Sequence, residues 1–122
     1  MHEIKLKRVY EDPQENDGYR ILVDRLWPRG VKKEELPYDS WAKEITPSSE
    51  IRKWFNHDPE KFEQFKSAYL EELTENEETA DFVKEVKDEL EEQNVTLLYA
   101  AKDEKINHVV ILKDFLEEQK SS

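Results

Sequence analysis

The segment Tyr19-Arg20-Ile21-Leu22-Val23 ends in three consecutive apolar residues and then stops at Asp24-Arg25-Leu26-Trp27-Pro28-Arg29-Gly30. A short apolar run without alternation marks a strand buried on both faces, the habit of parallel sheets with both sides covered. Pro28 and Gly30 end it. Val95-Thr96-Leu97-Leu98-Tyr99, preceded by Gln93-Asn94, is a second such run and the strongest strand signal in the chain. Residues 19–24 and 95–99 are therefore expected as central, parallel, adjacent or near-adjacent strands. Ile4 to Val9 alternates apolar and basic residues and reads as a strand with one buried face. Trp41 to Ile45 is a weaker strand candidate.

Helical signals fill the rest. Ser48 is a plausible N-cap, followed by Ile51, Trp54 and Phe55 at helical spacing. Asp58-Pro59 is a cap followed by proline at the first helical position, and Phe62, Phe65, Tyr69 and Leu73 trace one stripe. Helices are predicted over 59–73 and 77–92, and from Asn107 onward through Val109, Leu112, Phe115 and Leu116. Val31 to Pro37 reads as a turn or short helix. Strands separated by helices imply an α/β fold: a small Rossmann-like layered domain with a mostly parallel central sheet of three or four strands flanked by helices. The link from Tyr10 to Gly18 is too short for the usual helical crossover. The first two strands are therefore either antiparallel or joined by an extended loop.

A chain of 122 residues suits one domain, 1–122. It has no cysteine, which removes disulfides, thiolate nucleophiles and cysteine-based zinc sites. Met1 to Tyr10 is charged and lacks an apolar core, so no secretory signal is expected, and no apolar run approaches the ~20 residues of a membrane span. A cytoplasmic location is the expectation. Of the net charge of −11, residues 60–92 carry most, with 13 acidic and 4 basic side chains. Such a field repels nucleic acid and anionic membranes but leaves room for a local anion pocket, because salt screens charges beyond ~10 Å.

Ligands of open parallel sheets bind beyond the carboxyl ends of the strands. Three segments fall there. Arg25 and Arg29, on a loop stiffened by Pro28, are rigid forks suited to phosphate or carboxylate. The plainer reading pairs one with Asp24 or Glu44. Asp24 is a candidate general base, a metal ligand, or the partner that orients Arg25. Trp27 is a candidate pocket wall. Lys43 sits near the end of the weak strand. Tyr99 and Lys102 follow the best strand, with Asn107 and His108 at a helix start, where an anion is favoured and a neutral imidazole can serve as base. His57 precedes the Asp58 cap. The plainer reading of both histidines is as ordinary capping-region residues, and that of Tyr99 is core packing. No spacing resembles a metal motif. The two glycines, Gly18 and Gly30, make neither a dinucleotide nor a Walker loop, and the glycine loop of methyltransferases is missing.

Asp17 through Gly30, taken with Lys43-Glu44-Ile45-Thr46-Pro47-Ser48, Leu97-Leu98-Tyr99-Ala100-Ala101-Lys102 and Asn107-His108, resembles the YeaO-like proteins over nearly the whole chain. The resemblance implies a Rossmann-like α/β fold and a bacterial, cytoplasmic origin, and it supplies no established catalytic residue. The sequence expectation is an enzyme or ligand-binding domain for a small anionic molecule, phosphate-bearing ones included. In it Arg25 and Arg29 hold the anion and Asp24 and His108 handle protons. Lys43, His57, Tyr99, Lys102, Asn107 and Trp27 surround them. The alternative is a non-catalytic regulatory or interaction module that uses its acidic helices. The cofactor is left unknown.

Overall fold

The computed structural model describes residues 2–120. Four strands, β1 (Ile4–Arg8), β2 (Tyr19–Leu22), β3 (Ser40–Trp41) and β4 (Val95–Tyr99), form one sheet in the order β1-β4-β2-β3. Every pairing is parallel. Four helices flank the sheet: α1 (Ser49–Phe55), α2 (Phe62–Glu75), α3 (Thr79–Leu90) and α4 (His108–Lys120). The two most apolar runs are central neighbours, as expected, and β4 is buried at every position.

The sheet's two faces are covered differently. Ile4, Ile21, Val23, Val95, Leu97 and Tyr99 point one way, into a core completed by Phe55, Phe65, Tyr69, Phe82, Val86, Val109 and Leu112 from the four helices. Leu22 and Leu98 point the other way and are covered by loops, through Val9, Leu36, Trp27, Val31 and Trp41. Strand alternation sends successive side chains to opposite faces, so burying the unbroken run in β2 needs both covers.

The link between β1 and β2 is an extended loop, and the strands are parallel because each pairs with β4 between them. The loop runs over the face opposite the helices and ends in a 3₁₀ turn, Glu15–Asp17. Asp17 is fully buried there. Its carboxylate lies 2.9 Å from the Lys7 ammonium and 3.4 Å from Arg20 Nε, and it accepts the Gln14 N–H at 2.9 Å. Burial alone would raise its pKa; the Gln14 N–H, Lys7 and Arg20 outweigh burial and hold it below the usual carboxylate value. Thr96 Oγ1 donates to the Asp17 carbonyl at 2.7 Å, fixing the turn to the central strand. Gly18 follows with φ +68°, and a Cβ there would collide with the Asn94 carbonyl.

Some boundaries differ from the sequence expectation. The weak strand is only Ser40–Trp41, and Lys43–Ile45 is a 3₁₀ turn. Pro59–Lys61 is likewise a 3₁₀ turn before α2 proper, and α3 starts at Thr79. The acidic helices do not present a uniformly free face. Glu71, Glu75 and Glu92 are exposed. Glu72, however, accepts the Ser48 N–H and hydroxyl at 2.9 and 2.6 Å, and Glu85 accepts the Tyr19 hydroxyl at 2.7 Å. Glu89 accepts from Gln93 at 2.9 Å.

Candidate functional site

The carboxyl end of β2 is tied to its neighbours by Asp24. One carboxylate oxygen accepts the Ala100 N–H just beyond β4 at 2.9 Å, and its backbone carbonyl accepts Trp41 Nε1 at 2.7 Å. His108, the first residue of α4, places Nε2 2.6 Å from the Val23 carbonyl and 3.5 Å from the other Asp24 oxygen. A carbonyl only accepts, so Nε2 carries the proton and, in the neutral ring, Nδ1 holds the lone pair. Both side chains are largely buried, Asp24 at 16% exposure and His108 at 15%. Burial is the leading influence on each. It raises the pKa of Asp24 against the pull of His108 and the Ala100 N–H, and it lowers that of His108 against the pull of Asp24 and the Val23 carbonyl.

Asn107 caps α4. Its side-chain oxygen accepts the Val109 and Val110 N–H groups at 2.8 and 3.0 Å, and it is itself 2% exposed. The preceding turn is closed by Asp103, whose carboxylate accepts the Ile106 and Lys105 N–H groups, and these bonds hold its pKa below the usual value.

Arg25 reaches toward the start of α1. Its Nε lies 3.3 Å from the Pro47 carbonyl and Nη2 3.4 Å from that of Thr46. It lines a cleft of about 190 Å³ together with Glu44, Ser48, Tyr69, Glu72 and Asn76. Tyr69 joins this cleft to the Asp24–His108 pair. Its ring meets the His108 ring edge-on at 6.3 Å, and its buried hydroxyl donates to the Ile45 carbonyl at 2.7 Å. Burial, with Glu72 adding to it, pushes that hydroxyl's pKa up.

Arg52, in α1, is a site residue that sequence reasoning passed over. Its charge acts on both Asp24 and His108. Nη2 donates to Ser49 Oγ at 3.3 Å, and Nε is buried with no partner. The available signal was its place one turn after the Ser48 cap, between the inward-facing Ile51 and Phe55. His57 also acts on His108 and on Asp103; it is exposed and holds a left-handed φ of 57° directly after Asn56 at 46°.

The remaining candidates make other contacts. Arg29 is exposed, and its backbone carbonyl accepts the Tyr10 hydroxyl at 3.0 Å. Trp27 belongs to the loop-covered face, edge-on to Tyr38 and Trp41 at 5.6 Å each, with Nε1 donating to the Val31 carbonyl. Lys43 sits 4.8 Å over the Trp41 ring. Tyr99 packs in the helix-side core, where burial raises its pKa. Lys102 is exposed. Arg8, also unforeseen, donates to the Ala100 and Ala101 carbonyls at 3.3 and 2.9 Å. Among the described residues no group of three or more histidine, aspartate or glutamate side chains is arranged to hold a metal.

Sequence comparison finds relatives of this chain. The chain is 48% identical over 113 residues to the uncharacterized protein YeaO of Escherichia coli strain K12, covering 93% of this chain and 96% of that protein. It is 47% identical over 70 residues to the uncharacterized protein Rv3073c of Mycobacterium tuberculosis strain H37Rv, covering 57% of this chain and 59% of that one. Mb3100c of Mycobacterium bovis matches to the same extent. No solved structure matches. A family model, DUF488-N3i, described as the inactive DUF488-N3 subclade, matches residues 3–122. The chain, with its parallel sheet and the Asp24–His108 brace at the sheet's carboxyl edge, belongs to that family.

Proposed function

We propose that this protein is a ligand-binding domain for a small molecule bearing a carboxylate or phosphate, held at the carboxyl edge of the sheet, and that it works by binding rather than turnover. One observation carries the reading. Arg25 and Arg52 are half-buried, both sit against the start of α1, and among the described residues neither has a carboxylate within 4.0 Å. The chain has 30 acidic residues to offer. A guanidinium drawn out of water without a counterion is costly, and an anionic ligand offsets that cost.

The binding-only part rests on Asp24 and His108. Each has one polar atom bonded to the backbone just beyond a strand, Asp24 to Ala100 and His108 to Val23. Groups held this way brace β2, β4 and α4 together. The family's description as inactive agrees.

Titration of the protein at low salt with inorganic phosphate and with small carboxylates, followed by NMR and thermal shift, tests the proposal. Arg25→Ala and Arg52→Ala should each weaken anion binding by about tenfold or more, the scale of one charge-assisted contact. Binding unchanged in both variants, or no response to any anion, would overturn the reading. Turnover of a phosphomonoester that vanishes in His108→Ala would overturn the binding-only part.

A further inference from the structure

We infer that the cleft beside Arg25 takes a small amino-carboxylate, a zwitterion of free amino-acid size. The inference rests on the anion-binding reading of Arg25 and names the ligand class. The cleft carries both charges: Arg25 on one part of its wall, Glu44 and Glu72 on others. These charges do not cancel internally, because no ion pair within 4.0 Å joins Arg25 to either carboxylate.

Arg25 and Glu72 are each held in place by something other than an opposite charge. Arg25 is pinned by the Thr46 and Pro47 carbonyls, which take two of its donors and leave the rest available. Glu72 is fixed by the Ser48 N–H and hydroxyl, and its two oxygens have further lone pairs. Glu44 is exposed, with its backbone carbonyl tied to Asn76 Nδ2 at 2.7 Å and its side chain unpaired among the described residues. Arg25 and Glu72 therefore line the cleft as opposite, separately anchored charges more than 4.0 Å apart.

Charge decides between ligand classes. A bare anion at Arg25 also faces two carboxylates, and a phosphate dianion suffers most. A bare cation at the carboxylates faces Arg25. A molecule with a carboxylate at one end and an ammonium at the other answers both. Size agrees. About 190 Å³ is the liquid volume of about six waters. That is below the ~300–1,000 Å³ of pockets for drug-sized ligands, a space that suits a group of free amino-acid size.

The test uses the isotope-labelled full chain and NMR titration with the common free L-α-amino acids, with acetate, methylamine and inorganic phosphate as single-charge controls. At least one amino acid should bind about tenfold or more tightly than acetate or methylamine, shifting signals from residues 44–48 and 69–76. Arg25→Ala should abolish binding of amino acid and acetate alike. Glu44→Gln, a change on an exposed side chain, should weaken the amino acid by about tenfold and leave acetate unchanged or tighter. Acetate or phosphate binding through Arg25 as tightly as every amino acid, with no effect of Glu44→Gln, would overturn the zwitterion and leave the anion reading standing. No binding of any probe would overturn both.

Discussion

At the residue scale, three positions carry strong expectations. Gly18 adopts a left-handed φ directly against the Asn94 backbone. Gly18→Ala should cost at least about 2 kcal/mol in urea unfolding, because strain and collision add. Gly30 has a similar φ of +79° but open space around it, so Gly30→Ala should cost only the conformational part, about 1 kcal/mol. His108 gives a pH dependence. Its pKa in the folded chain lies below the ordinary 6.5, so on acidification the unfolded chain takes up this proton first. The contribution is fully present above about pH 6.5 and is lost as pH falls toward the folded value. Asp24 acts in the opposite sense: its pKa is raised above 3.8, so its contribution is present below that value and declines as pH rises through the folded one. His108→Gln, whose amide can still donate to the Val23 carbonyl, should flatten the fall in stability between about pH 7 and 5; a chemical-denaturation series across pH measures it. An unchanged slope would mean that the ring titrates freely.

At the scale of elements, Ser48 and Glu72 lock α1 to α2. Ser48 Oγ accepts the Ile51 N–H while donating to Glu72, so one hydroxyl serves a cap and a helix–helix contact. Glu72→Gln should destabilise by about 1–2 kcal/mol, whereas the pair Glu71→Gln and Glu75→Gln, on exposed side chains, should change stability by under about 1 kcal/mol. Equal effects of the two sets would remove the lock from the account. The same comparison shows what was legible in sequence. β2, β4, the α1 cap and the α4 start follow from local rules, since apolar runs and Ser or Asn caps express their physics within a few residues. The parallel direction of β1 was not legible, because its partner Val95–Tyr99 lies far along the chain. The share of glutamates engaged internally was hidden for the same reason: Glu72 and Glu85 find partners, Ser48 and Tyr19, in other elements. Of the site, Asp24, Arg25, Asn107 and His108 were readable as polar residues at strand ends. Arg52 was not, because its neighbours Ile51 and Phe55 marked that turn of helix as core.

At the scale of the whole molecule, no helix among the described residues is long and apolar enough to cross a membrane. Residues 60–92 carry 13 acidic side chains, yet among the described residues Arg25 and Arg52 have no carboxylate within 4.0 Å. Added salt should therefore weaken anion binding at the edge less than it would at an exposed lysine, because partial burial limits screening. The sheet order β1-β4-β2-β3 also has a consequence in time. The central strand is the last of the four to leave the ribosome. Until Val95–Tyr99 is synthesised, β1 and β2 have no common neighbour, and the buried Asp17 turn lacks the Thr96 hydroxyl that anchors it. A nascent chain halted at Asn94 would hold helices α1 to α3 above two unjoined strands, an open template for pairing with another chain. Arrival of β4 closes both ladders together, and α4, which emerges after it, then fills the helix-side core with Val109, Ile111, Leu112 and Leu116.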